Sequence, residues 1–192
     1  MTKNNKLPIH TTPVGTAIYP RLNRPDTKYN KDGVYHVKML FDKNSAKKLS
    51  DVIKPLMNGG KNNPLKPEVD DQGNKTGNYV ARFEMKAKVV TRDDSWEQKP
   101  ILLDSVGNRM VGNIGGGSKL QIAYQAAPYP SELQGGGVKL RLKKVRVIDF
   151  VEYQDKNNTD WGDVEGNYVE KTEEQQDWEA AEMVEDEDEE DF

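Results

Sequence analysis

The chain has 192 residues, with 28 Lys and Arg against 32 Asp and Glu, two His and no Cys. The lack of cysteine excludes disulfide scaffolds, thiolate zinc sites and cysteine nucleophiles, and two histidines leave little for metal or acid–base chemistry. No apolar run approaches the roughly 20 residues that a membrane span needs, and residues 1–6 lead into no apolar signal segment, so we expect a soluble, cytosolic protein.

Charge divides the chain in two. Residues 1–148 hold 26 basic and 13 acidic side chains, a net of +13, whereas residues 149–192 hold 2 basic and 19 acidic side chains, a net of −17. A basic body with an acidic tail is typical of a protein that binds polyanions and whose own tail competes with them for the basic surface. A solubilising tail on an ordinary domain fits the charges equally well.

The first predicted elements surround a loop of mixed chemistry. Residues 1–12 read as a flexible basic arm, and residues 14–19 as a strand that stops at Pro20, because proline cannot donate to a ladder. Residues 20–29 then form a loop that carries three cations, Arg21, Arg24 and Lys28, with Tyr19 and Tyr29 at its ends. That mixture suits single-stranded nucleic acid, since phosphates need charge and unstacked bases need a flat partner. A surface loop whose tyrosines cover the edge of a barrel is the alternative.

A predicted strand and a predicted helix follow. Residues 34–41 alternate, with Tyr35 and Phe41 on the apolar face and Lys38 on the other. Residues 44–58 carry apolar side chains at helical spacing, with Asn44 or Ser45 as the N-cap. Residues 58–78 read as loop.

The strand predicted over residues 79–92 has one apolar face and one basic face. A long twisted strand with a basic outer row is what a barrel uses to follow a phosphate backbone, and an ordinary solvated face is the alternative. A loop containing Trp96 and a short strand at residues 101–104 come next.

Two glycine runs border the last strands. Residues 111–119 fail as a phosphate loop, because Lys119 follows Ser118 and a strand follows both; their glycines favour a sharp bend. After residues 135–137, the apolar parity of the last strand flips beyond Lys143, which predicts a β-bulge of the kind that small barrels need.

These blocks carry a family resemblance. Residues 19–29 and 33–35 resemble the N-terminal signature of tailed-phage single-stranded-DNA-binding proteins, and residues 114–119 and 137–143 look like two further blocks of it. The acidic run that closes with Phe192 also matches. The resemblance implies an all-β fold, a five-stranded OB barrel over residues 13–153 with one inserted helix at about 44–58, and a disordered linker and acidic tail over 154–192.

The resemblance also implies a function. Such proteins coat and protect single-stranded DNA in phage replication, recombination and repair, in the cytoplasm of the bacterial host, without enzymatic activity or a cofactor. Their tail competes with DNA for the groove and contacts replication proteins such as DNA polymerase and helicase-primase. A homodimer is a further possible assembly.

The candidate site residues fall into three sets. The basic DNA contacts are Arg21, Arg24, Lys28, Lys38, Arg82, Lys86, Lys88, Arg92, Lys119, Lys139, Arg141 and Lys143. The stacking candidates are Tyr19, Tyr29, Tyr35 and Trp96. The partner-binding tail is Glu185, Asp186, Glu187, Asp188, Glu189, Glu190, Asp191 and Phe192.

Two other classes of function are alternatives for this sequence. A protein-interaction adaptor or chaperone-like module would use the acidic tail against basic partners and ignore nucleic acid. A nuclease would need clustered carboxylates for metal ions. The carboxylates of the body are scattered, and Asp93-Asp94, in a turn-like loop, is the only pair that suggests a metal site. We therefore expect no enzymatic activity.

Overall fold

The structure, a computed structural model, describes residues 7–130 and 135–153. The predicted acidic tail lies outside these residues. The elements in chain order are β1 His10–Thr11, β2 Gly15–Asp26, β3 Val34–Phe41, α1 Lys43–Met57, β4 Leu65–Val69, β5 Lys75–Lys86, β6 Lys88–Val90, β7 Ser95–Glu97, β8 Ile101–Leu103, β9 Lys119–Tyr129 and β10 Gly137–Asp149.

Five strands close into a barrel in the order β2, β3, β5, β10, β9 and back to β2. All neighbouring pairs are antiparallel except β5 and β10, which run parallel with Leu140 opposite Phe83. The ring closes where Gly15 of β2 pairs with Leu120 of β9. This closed barrel with one inserted helix confirms the predicted OB fold.

The core follows the predicted alternation. The inward side chains of β3, from Tyr35 to Phe41, are at most 3% exposed. In the barrel centre Phe83 meets Tyr124 edge to ring, with 5.2 Å between centroids. The apolar stripe of α1 adds Leu49 and Ile53 to the same core, as the helical spacing predicted.

The first barrel strand differs from the prediction. β2 does not stop at Pro20 but continues to Asp26, so residues 20–26 are strand rather than loop. The register with β3 shifts between Ile18 and Arg21, and Tyr19 adopts a φ of 46°. This bulge takes Pro20 out of the ladder at the point where its missing N–H would otherwise leave a gap.

Residues 10–12, predicted within a flexible arm, are attached to the barrel instead. His10 and Thr11 pair with β9. Thr12 is buried, its backbone N–H donates to the carbonyl of Ile122 at 2.9 Å, and its hydroxyl accepts from the Ile122 N–H at 3.0 Å.

The helix begins one residue earlier than predicted. Its N-cap is Asp42, whose carboxylate accepts a hydrogen bond from the backbone N–H of Ser45 at 3.0 Å. Neither Asn44 nor Ser45 is the cap. The helix ends at Met57, and Asn58 forms a left-handed C-cap.

Two further strand predictions were incomplete. Residues 65–69, predicted as loop, form β4 and pair with β5. The strand predicted to run to residue 92 breaks at Ala87, after which β6 turns away to form a separate hairpin with β7. The predicted bulge in β10 is confirmed, because the register with β9 shifts between Leu142 and Lys144.

Candidate nucleic-acid interface

Cations collect on the outer face of three adjacent barrel strands, β3, β5 and β10. In the antiparallel pair β3–β5, Lys38 lies opposite Arg82 and His36 opposite Glu84, and in the parallel pair β5–β10, Arg141 lies beside Glu84. Residues paired in this way point to the same side of the sheet. The alternation that buries one face of these strands therefore turns their basic residues outward together.

A depression of about 630 Å³ lies across β5 and β10. Met85 and Leu142 line it together with Lys86, Arg141 and Trp96. Trp96 stands on β7, opposite Val89 of β6, and its side chain is 45% exposed. A half-exposed indole beside cations is a surface on which an unpaired base can stack.

The β6–β7 hairpin that carries Trp96 is fastened to the barrel by Gln98. The Gln98 side-chain amide donates to the carbonyl of Lys86 at 2.9 Å, and its backbone N–H donates to the carbonyl of Ala87 at 2.8 Å. These bonds hold the hairpin at the end of β5 and fix the position of the indole.

A second depression, also of about 630 Å³, continues along the same face and contains Lys38, Arg82 and Tyr129. The ammonium group of Lys139, which lines the first depression, lies 5.6 Å from the centroid of the Tyr129 ring. This cation–π contact joins the two depressions. We call the combined surface the basic groove; its cations are Lys38, Lys61, Lys66, Arg82, Lys86, Lys139, Arg141 and Lys143, and its aromatic side chains are Trp96 and Tyr129.

Tyr129 was missed by the sequence reasoning. It is only partly buried at the end of β9, between Pro128 and Pro130. Two flanking prolines around an aromatic residue were a local signal, but the contact with Lys139 depends on the pairing of β9 with β10 and is not visible in the sequence.

Positive charge prevails in the groove. Glu84 is the one carboxylate among the described residues that line the two depressions, and it lies 3.5 Å from the guanidinium of Arg82. At the edge of the same face, Asp26 contacts His36 at 3.3 Å. Two hydrogen bonds lower the pKa of Asp26. The larger effect comes from the backbone N–H of Lys28 and the next from the side chain of His36.

Several predicted basic contacts lie elsewhere. Arg21 and Arg24 line a separate pocket on β2. Lys28 lies over the ring of Tyr29 at 5.3 Å from its centroid, on the turn before β3. Lys119, at the start of β9, donates to the hydroxyl of Thr16 at 2.7 Å.

The β6–β7 hairpin carries the remaining predicted cations. Lys88 lies on β6, and Arg92 lies in the turn that joins the two strands. Both side chains are exposed and line neither depression of the basic groove.

The predicted stacking residues do not all lie in the basic groove either. Tyr35 is 3% exposed and packs in the core, where desolvation raises the pKa of its hydroxyl, so no base can reach its ring. This part of the prediction is corrected, and the alternation of β3 is the physical reason. Tyr19 is 81% exposed at the bulge of β2 and lines neither depression of the groove.

Of the Asp93-Asp94 pair, Asp94 has a structural role in the hairpin turn, where its carboxylate accepts from the N–H of Ser95 at 2.7 Å. Residues 7–130 and 135–153 contain no group of three or more His, Asp or Glu side chains placed to hold a metal ion. Within the same residues, no helix has both the length and the apolar character needed to cross a membrane.

A closed five-stranded barrel with one inserted helix and a groove of cations and aromatic rings across its outer strands defines an OB-fold protein. No protein-family model matches the sequence. Two curated relatives do: the single-stranded DNA-binding protein of Enterobacteria phage T3 is 26% identical, over 97% of this chain and 98% of the relative. The single-stranded DNA-binding protein of Escherichia phage T7 is 28% identical over 84% of each.

Solved structures agree in fold. The crystal structure of gp2.5, a single-stranded DNA-binding protein encoded by bacteriophage T7, superposes with a TM-score of 0.64 at 23% identity, covering 86% of this chain and 100% of that one. The single-stranded DNA-binding protein of bacteriophage Enc34, in complex with single-stranded DNA, gives 0.55 at 14% identity, covering 75% and 88%. The predicted resemblance to the tailed-phage single-stranded-DNA-binding proteins is confirmed, and these relatives are named as binding proteins rather than enzymes, as expected.

Proposed function

We propose that the protein binds single-stranded DNA without sequence preference, and that it coats and protects the strand in phage DNA replication and recombination. The observation that carries the proposal is the basic groove, where eight cations and two accessible aromatic rings share one continuous face. Cations follow the phosphates whatever the sequence, and every base presents a flat face to an aromatic ring.

The groove favours single strands over duplex. Trp96 is 45% exposed and Tyr129 partly so, and a base can stack on either ring only when it is free of its own base stack. A duplex offers phosphates but no unpaired faces, so it would gain the ionic contribution alone. The names of the phage relatives, and the Enc34 neighbour solved with single-stranded DNA, support the same ligand.

The proposal extends to the acidic tail, which lies outside the described residues. Residues 149–192 carry a net charge of −17 and residues 1–148 a net charge of +13, so the tail is suited to compete with DNA for the basic groove. When DNA displaces it, the freed tail would recruit replication proteins such as DNA polymerase and helicase-primase. Exposed sheet edges would also let two copies pair, so a homodimer belongs to the same proposal.

The test is fluorescence anisotropy with a labelled oligonucleotide, single-stranded or annealed to its complement, over a range of salt concentrations. The full chain should prefer the single strand, and its affinity should fall steeply with salt. A 1–169 truncation should bind more tightly. Equal binding to both DNA forms would contradict the groove assignment, and unchanged affinity on truncation would contradict competition by the tail.

A further inference from the structure

A second pocket lies on the outside of the barrel, between β2 and two short segments at residues 112–115 and 151–153. It has a volume of about 310 Å³ and is lined by Arg21, Arg24, Asn113, Ile114 and Tyr153. We call it the arginine pocket. It shares no lining residue with the basic groove.

Hydrogen bonds from Asn23 hold one wall of this pocket. The Asn23 side-chain amide donates to the carbonyl of Gly112 at 2.9 Å, and its carbonyl oxygen accepts from the N–H of Ile114 at 3.1 Å. These bonds connect β2 to the 112–115 segment, although Asn23 and Gly112 are 89 residues apart in the chain.

The second wall is fixed by the glycine run that failed as a phosphate loop. The N–H of Gly115 donates to the carbonyl of Val151 at 2.8 Å. The buried hydroxyl of Ser118 donates to the carbonyl of Gly115 at 2.9 Å and accepts from the N–H of Val151 at 3.0 Å. These bonds bring the chain after β10 against the glycine run.

Tyr153 is placed by the same contacts. Its backbone N–H donates to the carbonyl of Asn113 at 2.9 Å. A Cβ at Gly115 would lie 2.8 Å from the carbonyl oxygen of Glu152 and 2.9 Å from the nitrogen of Tyr153, so glycine is what permits this approach. The backbone that carries the ring is therefore held in place before any ligand arrives.

The pocket combines charge with an aromatic face. Within the described residues, neither Arg21 nor Arg24 forms an ion pair at contact distance with a carboxylate. In addition to the hydrogen bond from Lys28, the charge of Arg21 does contribute to lowering the pKa of Asp26. Tyr153 is 47% exposed. Guanidinium groups bind phosphate with several hydrogen bonds, and a half-exposed tyrosine ring offers a base a stacking partner. Phosphate and base together make up a nucleotide of a single strand.

The outer face connects this pocket to the basic groove. Arg141 lies beside Glu84, Glu84 opposite His36, and His36 opposite Arg21. These four residues form one row across β10, β5, β3 and β2, and with strands about 4.8 Å apart the row spans about 14 Å. A strand bound in the groove would therefore need to extend by about 14 Å from Arg141 to reach Arg21.

We propose that the arginine pocket is an accessory subsite for single-stranded DNA, in which Arg21 and Arg24 bind phosphates and Tyr153 stacks on a base. The inference rests on the proposed function. It adds that the footprint extends beyond the groove, so the subsite acts only on strands long enough to reach it.

The test compares oligothymidylates from about 4 to about 16 nucleotides, the range of site sizes for a single OB fold, on the full chain. Arg24→Ala and Tyr153→Ala should leave the shortest strand bound as in the wild type and weaken the longest by about fivefold or more. Arg24→Ala should also lower the salt slope for the long strand by about 0.7. Arg141→Ala, in the groove, should weaken binding at every length.

Two controls separate the inference from folding and from net charge. Arg109→Ala removes an exposed arginine that does not line the pocket, and it should behave as the wild type. Tyr153→Phe keeps the ring and should bind normally. If Arg24→Ala matches Arg109→Ala at every length while Arg141→Ala weakens binding, the accessory subsite is refuted and the proposed function stands. If the wild type binds no strand at any length, the proposed function itself is refuted.

Discussion

Replacing Trp96 by alanine removes the larger of the two rings that border the basic groove. The side chain is 45% exposed and lines the depression with Lys86 and Arg141. The hairpin that carries it is anchored to β5 by two hydrogen bonds of Gln98, which the substitution leaves in place. Loss of the ring should therefore change DNA binding without unfolding the barrel.

The expected size follows from stacking. A base stacked on an aromatic side chain contributes about 1–3 kcal/mol, which corresponds to a loss of about 5- to 150-fold in affinity. Because no charge is removed, the slope of log affinity against log salt should stay as in the wild type. This combination, a weaker affinity with an unchanged slope, distinguishes a lost stack from a lost phosphate contact.

The assay is anisotropy of a labelled oligothymidylate at several salt concentrations, together with a melting curve for each variant. Trp96→Phe keeps an aromatic face and should recover most of the affinity. Tyr19→Ala removes a more exposed ring outside the groove and should change the affinity less than about twofold, below the range of one stacked base. If Trp96→Ala binds as the wild type does, or if Tyr19→Ala loses as much, the assignment of the stacking face is wrong.

Three further outcomes are expected. Glu84→Gln removes the carboxylate of the groove and should tighten DNA binding by up to about fivefold, from roughly 1 kcal/mol for two charges at contact in water; weaker binding would argue against this face. Asp42→Ala should lower the melting temperature, because the helix loses its N-cap. Since hydrogen bonds from Ser45 lower the pKa of Asp42, this difference should be full above the ordinary carboxyl value of 3.8 and shrink as the pH falls through the lowered pKa; a difference that grows in acid would contradict it. Gly115→Ala should destabilise the fold by about 1–3 kcal/mol through overpacking, whereas Gly116→Ala, whose nearest neighbouring atom is 4.0 Å away, should melt as the wild type does.

Strand alternation predicted much of this fold because it is a local signal of half-buried strands. The inward face of β3 and the parity flip beyond Lys143 both follow from a side-chain period of two, and the structure has both. The proline rule failed at Pro20 because a bulge is a property of two strands, and the partner of β2 is not visible from β2 itself. β4 was missed for a similar reason, since its pairing with β5 rather than its composition makes it a strand.

The sequence predicted six of the eight cations that line the basic groove, missing Lys61 and Lys66, and one of its two aromatic rings. The cations of β5 and β10 were identified because alternation turns them outward. Tyr35 was included through its place in a family-like block, although its alternation already assigned it to the core, where the structure places it. The positions of Tyr129 and Tyr153 depend on contacts between distant segments of the chain. Tyr129 contacts Lys139, and the backbone of Tyr153 is bonded to Asn113. Such pairings become visible only once the barrel has closed.

The central claim is that the basic groove, rather than positive charge in general, holds the strand. Two triple variants with the same loss of charge test it. One replaces three groove cations by alanine: Lys86, Arg141 and Lys143. The other replaces three exposed lysines of α1: Lys43, Lys47 and Lys54.

The measurement is the salt slope of single-strand binding for the two triple variants and the wild type. At about 0.7 per phosphate contact on a single strand, the groove variant should lose about 2 from the slope and bind far more weakly, while the helix variant should match the wild type. Equal losses in both variants would show that net charge alone attracts the DNA, and would contradict the account.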